Sequence, residues 1–336
     1  KINSKENSMK RIHLLLLPVL AILLLTSCDG SGFLSASSMS SEVLVIMDED
    51  EWEGETGRAL FDVLNSPAKG LPQFEPNFRV IQLTPENITN TFKVARNIIM
   101  PEISSIYSVA KLSSELDKYA SGQVIMTVRA PDTAAFINFL KENQEGIVNY
   151  ILNKEMERTA QWLIKDSGTP QSHIKQVFGF NIYYPKGLSN ITEHPNFYWA
   201  TNSAGRARKD IVIYQFPYTS ESVFEKDSLI GIRNRVLGQY ITGSFDSHMT
   251  TATQAYNPDY RKMEYNGIFR AELRGLWEMT SDMMGGPFVS HAFVNEETNM
   301  VVVVEVFVFA PEADKRNLIR SMEGALYTIS FPKAKK

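Results

Sequence analysis

FRAELRGLW, residues 269–277, is the stretch that decides the fold class. Its alternation puts Arg270, Glu272 and Arg274 on one face of an extended chain and Phe269, Ala271, Leu273 and Trp277 on the other. A period of two is the mark of a β-strand with two chemically different faces. Downstream, PFVSHAFV (287–294) and MVVVVEVFVF (300–309) are rich in β-branched and aromatic residues, with NEETN (295–299) as the turn between them. Segments 266–278, 287–294 and 300–309 therefore read as three consecutive strands closing an antiparallel sheet. Pro311 then leads into a C-terminal helix to about Leu326. Upstream, 178–184, 197–200 and 211–216 read as strands and 222–240 as a helix. Strand runs flanked by helices predict an α+β layer.

The first half alternates element types. VLVIM (43–47) predicts a strand, DEDE (48–51) an acidic loop, and the residues to about Leu64 a helix. FRVIQL (78–83) predicts a strand, and Thr84-Pro85 an N-cap and first-turn proline for a helix through Ala95. Strands follow at 97–100, 105–110 and 123–129. A long helix then runs to about Lys165, with Phe136, Phe139, Leu140, Ile147, Ile151 and Leu152 on its apolar face and Gly146 as a kink. DSGTP (166–170) is the strongest boundary signal. The expected organisation is an N-terminal α/β domain over 42–166 and a C-terminal α+β domain over 171–332, the latter an antiparallel sheet flanked by helices.

The N-terminus has a different character. After KINSKENS, Met9 opens a basic Lys10-Arg11 pair and an apolar run from Ile12 to Leu25. That run is short of the roughly 20 residues a membrane-spanning helix needs, and reads as a signal peptide over 9–27. It closes on Leu25-Thr26-Ser27-Cys28, which resembles a bacterial lipobox, and Cys28 is the sole cysteine. A disulfide, a CxxC pair and a zinc cluster are thereby excluded. Lipidation of Cys28 is expected, anchoring the chain in a membrane through acyl groups. Residues 28–41 follow as a Gly/Ser-rich tether.

Lys and Arg number 34 against 38 Asp and Glu, a net charge of −4, which argues against a nucleic-acid partner. Removal of the leader takes away Lys1, Lys5, Lys10 and Arg11 with only Glu6, leaving a more acidic remainder.

Three features together carry a family resemblance: the lipobox, GLWE (275–278), and MGGPFVS (284–290) ahead of an apolar strand ending in FAP (309–311). The chain resembles the Bacteroidota lipoprotein family catalogued as domain of unknown function 4837, with the likeness running from about Val43 to Phe331. That resemblance implies a phylum and an envelope address and brings no activity. The hairpin order after Phe178 is loosely similar to the PsbP/Mog1-type fold, an interaction module. Surface lipoproteins of that phylum tend to carry an acidic run after the lipidated cysteine. Here only Asp29 is acidic, so the resemblance implies the periplasmic face of the outer membrane.

No HExxH, Gly-x-Ser-x-Gly, P-loop or GxGxxG motif is present. His173, His194, His248 and His291 stand at no metal-ligand spacing. No metal and no cofactor is expected. Trp162 and Trp277 fall on apolar faces and read as core, whereas Trp199 is a candidate stacking surface. Pairing Val294 with Met300 would put His291 opposite Val303 and Val289 opposite Glu305. His291 and Glu305 would then join Arg270, Glu272 and Arg274 in one polar strip. A strip of that kind is either a solvated sheet face or a recognition surface. Met283 and Met284 are candidate contacts for a partner, adaptable as methionines often are. The expectation is a non-enzymatic binding or envelope-assembly lipoprotein with an envelope protein partner. The alternatives are an envelope hydrolase or a glycan-binding accessory protein.

Overall fold

The computed structural model describes residues 34–167, 171–202 and 206–332. The expected free tether is held down from 34 to 41, where Ser35 bridges to Ser121, the Ser37 N–H donates to Val94 O at 2.8 Å and Ser41 is buried, whereas residues 28–33 with Cys28, and the leader, lie outside the described residues. So do 168–170, the centre of the expected boundary.

In the first half, β1 (Glu42–Ile46) is followed by α1 (Glu49–Glu53) and α2 (Glu55–Leu64), then β2 (Arg79–Leu83) and α3 (Asn90–Lys93). β3 (Asn97–Ile103), β4 (Lys111–Leu116), β5 (Val124–Ala130) and the 35-residue α4 (Thr133–Ser167) complete it. The sheet order is β2-β1-β3-β5-β4, parallel except for β4 at one edge. Strands of a parallel sheet are buried on both faces and so read as near-continuous apolar runs. Val43, Val45 and Met126 pack with Leu60, Phe136, Leu140 and Ile151 of α2 and α4 on one side. Leu44, Ile98 and Ile125 pack beneath Ile88 and Phe92 on the other.

Four local expectations are corrected. The acidic 48–51 segment is mostly helical, because three carboxylates suit the positive end of α1. The helix expected over 84–95 is one 3-10 turn (Pro85–Asn87) and the single turn of α3. Segment 105–110 is irregular: Ile106 and Val109 are exposed, so no buried face holds a strand there. Gly146 does not interrupt α4. It sits on the outer face with open space around it, where glycine costs about 1 kcal/mol of propensity but imposes no bend.

The second half runs α5 (Ser172–Phe178), β6 (Asn190–His194), β7 (Phe197–Thr201), β8 (Arg208–Pro217), α6 (Lys226–Tyr240) and β9 (Met249–Thr251). β10 (Asp259–Tyr265), β11 (Ile268–Met279), β12 (Gly285–Asn295), β13 (Met300–Phe309) and α7 (Arg316–Glu323) follow, and a 3-10 segment (Gly324–Thr328) ends the fold. The eight strands form an antiparallel half-barrel sheet in the order β10-β11-β12-β13-β8-β7-β6, with β9 paired to β11. The expected strand at 178–184 is instead the end of α5 followed by an extended cover segment. Gly179 stops the helix at φ 80°, and Asn181 alone pairs with Ser330. The alternation there is real, since Phe178, Phe180, Ile182 and Tyr184 are all buried, but it seals a core and pairs with no strand along its length.

α4 belongs to both cores. At about 100° per residue, Phe136, Leu140, Ile147 and Ile151 share one side of the helix and Met156, Ala160 and Leu163 share nearly the opposite side. The first set packs on the parallel sheet and the second on the antiparallel one. Trp162 continues the first stripe past the point where that stripe ends, and is therefore exposed, against the expectation of core. Trp277 is core as expected.

Candidate functional site

Register decides which polar residues meet. Asn295, one residue later than expected, pairs with Met300, so His291 faces Val304 and Ser290 faces Glu305. A slip of one residue moves a side chain to the other face of the sheet. Glu305 thus leaves the strip. It lies on the α6 face in a buried pair with Arg233, whose Nε and Nη2 donate to Oε2 and Oε1 at 2.9 and 2.8 Å. The Arg233 guanidinium also lies 3.9 Å from the Phe288 ring centre.

Arg270, Glu272, Arg274 and His291 do share a face, but water does not reach most of it. Arg270 and His291 are 0% exposed and Glu272 5%, under α7, the 3-10 segment and the second half of α4. The strip, expected as either a solvated face or a recognition surface, is for the most part a buried ionic layer. Arg261 on β10 donates Nε and Nη2 to the two oxygens of Glu272 at 3.0 and 2.9 Å. Arg274 Nη2 stands 3.7 Å from Glu272 and donates to Glu323 Oε1 at 2.5 Å, while its Nη1 donates to Oε2 at 3.2 Å.

His291 Nε2 lies 3.2 Å from Glu272, and its Nδ1 lies 3.3 Å from Arg270 Nη1. A guanidinium can only donate, so Nδ1 must accept and the neutral ring carries its proton on Nε2, toward Glu272. Burial pulls the His291 imidazole below its ordinary value, which keeps it neutral. Burial alone would raise the Glu272 carboxyl. The Arg274 charge, the His291 hydrogen bond and the Arg261 charge together hold it well below its ordinary value.

The outer end of this layer floors a cleft of about 630 Å³, bounded by the 66–71 loop, α4, the β10–β11 edge and α7. Arg261, Glu272, Arg274, Arg320, Glu323 and Tyr327 line its polar side. Leu71, Val148, Leu152, Met156 and Ile319 line its apolar side. The loop is fixed against the second half of the fold. Gly70 takes φ 72°, its N–H donates to Tyr256 Oη at 3.0 Å, and a Cβ there would come within 2.6 Å of Arg274 Cγ. Glu75 accepts the backbone N–H groups of Lys315 and Arg316 at 2.7 and 2.9 Å, so a first-half carboxylate caps α7. Arg320 reaches back to neutral acceptors: Ser41 Oγ at 2.8 Å, Asn77 O at 2.7 Å and Asn77 Oδ1 at 2.9 Å. Burial lowers its pKa to about 9.

No histidine or cysteine is among the residues lining the cleft, and its serine, Ser66, already donates to Val63 O and accepts from Asn77 Nδ2. Among the described residues no three His, Cys, Asp or Glu side chains group as metal ligands, and no helix is long and apolar enough to cross a membrane.

The remaining candidates lie elsewhere. Trp199 is half-buried, its Nε1 donating to Asp210 at 2.9 Å and its ring facing the Arg208 guanidinium at 5.4 Å. Met283 is fully exposed at the tip of the β11–β12 connection, whereas Met284 packs against the α6-side core. Sequence reasoning missed Arg261, Arg320, Glu323 and Tyr327. Three-, four- and seven-residue spacing of Arg316, Ile319, Arg320 and Glu323 places them on one helical face, and that pattern was available to find part of the cleft.

The chain carries two family matches. Residues 167–328 match the model described as Domain of unknown function (DUF4837), and residues 36–163 match Domain of unknown function (DUF8532). The DUF4837 likeness thus covers the second half alone, and the first half is similar to a different family. Among solved structures, a 1.50 Å crystal structure from Bacteroides thetaiotaomicron VPI-5482 is similar at 12% identity and a TM-score of 0.24, covering 46% of this chain and 46% of that one. No curated protein matches the sequence.

Proposed function

We propose that the chain is a non-enzymatic binding module of the bacterial envelope, anchored to the outer membrane through Cys28, facing the periplasm and holding its ligand in the cleft between its two halves. A domain division near 166–171 goes with this reading, each half supplying one wall. The observation that carries it is the floor of the cleft: Glu272 and Glu323 are each already engaged by arginine. A hydrolase working with two carboxylates needs one of them protonated to act as the acid. The Glu272 carboxyl is held the other way, well below its ordinary value. Ser66 has no histidine beside it in the lining to activate it. A cavity of this volume with one apolar side and a few charged groups has the make-up of a small-molecule or peptide-segment site.

The test is purification from native membranes, with identification of whatever small molecules and proteins are retained. Leu152→Trp, which fills the cleft, should abolish retention while leaving lipidation of Cys28 intact. Hydrolysis of glycosidic, peptide or ester substrates that is lost in Leu152→Trp would replace the binding reading with the hydrolase one.

A further inference from the structure

We propose that the cleft takes an organic anion, its carboxylate or phosphate meeting Arg261 and Arg316 and its apolar part lying along Leu71, Val148, Leu152 and Met156. This rests on the binding reading above and names the ligand class.

The argument begins with charge. Among the described residues, the cleft and the layer under its floor hold five guanidiniums: Arg261, Arg270, Arg274, Arg316 and Arg320. They face three carboxylates at that depth, Glu272, Glu323 and Asp259, and the Tyr256 hydroxyl already donates to Asp259. At the rim, Lys69 and Lys141 balance Glu142 and Glu145. Behind α7, Glu75 is engaged by backbone N–H groups, with Lys315 beside it. Asp314 acts on Arg316 together with Glu75, which leaves one positive charge over, on the side of the buried Arg270 and Arg320. Guanidiniums do not shed protons near neutral pH, so the excess is permanent.

The hydrogen bonds point the same way. Arg320 directs both its terminal nitrogens at neutral oxygens, with no carboxylate in ion-pair range. Arg270 is fully buried, donates Nη1 to Leu326 O, and leaves Nε and Nη2 without a partner. Native proteins seldom leave buried donors in that state. On the cleft side, Arg261 has Nη1 left after Glu272 takes Nε and Nη2. Arg316 has Nη2 left after Pro76 O and Asn317 take Nη1 and Nε. These N–H groups stand at the edge of a wall whose other side is aliphatic. A planar guanidinium fork matches a carboxylate or phosphate better than any neutral group does.

The probes are octanoate, octyl phosphate, octanol and octylammonium, titrated by calorimetry into the purified protein at fixed ionic strength. At least one anion should bind one-to-one and about tenfold or more tighter than octanol, the gain expected of a charge-assisted hydrogen bond. Comparison of the two anions tells carboxylate from phosphate. Arg316→Gln should weaken that anion about tenfold with little change in melting temperature, Arg316→Lys should fall between, and Leu152→Trp should abolish binding. Octanol binding as tightly as both anions would overturn the anion assignment and leave cleft binding standing. Tighter octylammonium, anion binding indifferent to Arg316→Gln and Leu152→Trp alike, or no binding of either anion would also overturn it.

Discussion

Glu272→Gln keeps the shape of the side chain and removes the charge on which Arg261, Arg274 and His291 converge. Its cost follows from the partners. Removing one member of a buried ion pair costs about 3–5 kcal/mol, because the other charge is left uncompensated. Here Arg261 is about one-third exposed and can recover water, and Arg274 keeps Glu323, which places the charge loss at or below the lower end. The amide adds its own penalty. His291 presents Nε2–H to one oxygen and Arg261 presents two N–H groups across both oxygens, so all the facing groups are donors. A glutamine NH₂ must oppose one of them in either flip, leaving an unmatched buried donor worth about 1–3 kcal/mol. The sum is roughly 4 kcal/mol, or about 6 °C in melting temperature for a chain of this size.

Thermal unfolding followed by circular dichroism or calorimetry between pH 4 and pH 8 reads both the magnitude and the sign. The folded Glu272 pKa lies below its unfolded value, so its stabilisation is complete above the ordinary carboxyl range and fades as pH falls through the folded value. The gap between wild type and variant should therefore be widest at neutral pH and narrow in acid. His291, whose folded pKa is also lowered, adds a loss of stability in the wild type as pH drops below its ordinary value. An unchanged melting temperature at pH 7, or a gap that widens in acid, would refute the buried-layer account.

Gly286→Val should lower stability by at least about 2 kcal/mol, because its Cβ would fall 2.1 Å from Val308 O, and wild-type-like unfolding would show that β12 and β13 separate easily there. Neither Gly285 nor Gly286 has positive φ, so close approach is the reason for glycine. Met283→Ser should change stability by less than about 0.5 kcal/mol and Met284→Ser by about 1–2 kcal/mol, as their exposed and packed positions require. A Met283→Ser variant that melts many degrees early would place that side chain in a core. Cys28→Ala should abolish labelling by a fatty-acid analogue and release the protein from membranes, and equal labelling of both forms would end the lipoprotein reading.

The α+β class was legible because strands β11 to β13 obey strict rules of alternation and composition. Their register was not, by one residue. The connection over 296–299 closes with Asn299 at φ 52°, a left-handed conformation asparagine tolerates, and this shortens the loop relative to the expected pairing. β6, β9 and β10 escaped notice because NITEH, MTT and DYRKMEY are short or carry charges on both faces. The cleft was harder still. Its decisive contacts join Gly70 to Tyr256 and Glu75 to Lys315, partners that no local periodicity connects. The polar strip on β11 was visible as a pattern, but nothing in 269–277 tells that α7 and α4 lie on top of it.

A helix 35 residues long measures about 52 Å, and α4 acts as an axle driven into two hubs. Proteins that clamp ligands between lobes usually do so by bending short linkers, and here the linking piece is rigid and gripped at both ends. Opening the cleft wide would mean tearing one end of the axle from its hub, so a ligand of the class proposed would thread into a mouth of nearly constant width. The same arrangement orders assembly. Until the last quarter of the chain is made, Met156, Ala160 and Leu163 have no sheet to rest on, and the first half alone would carry a bare oily spur. Expressed by itself, that half should aggregate unless the helix is cut back to about residue 153.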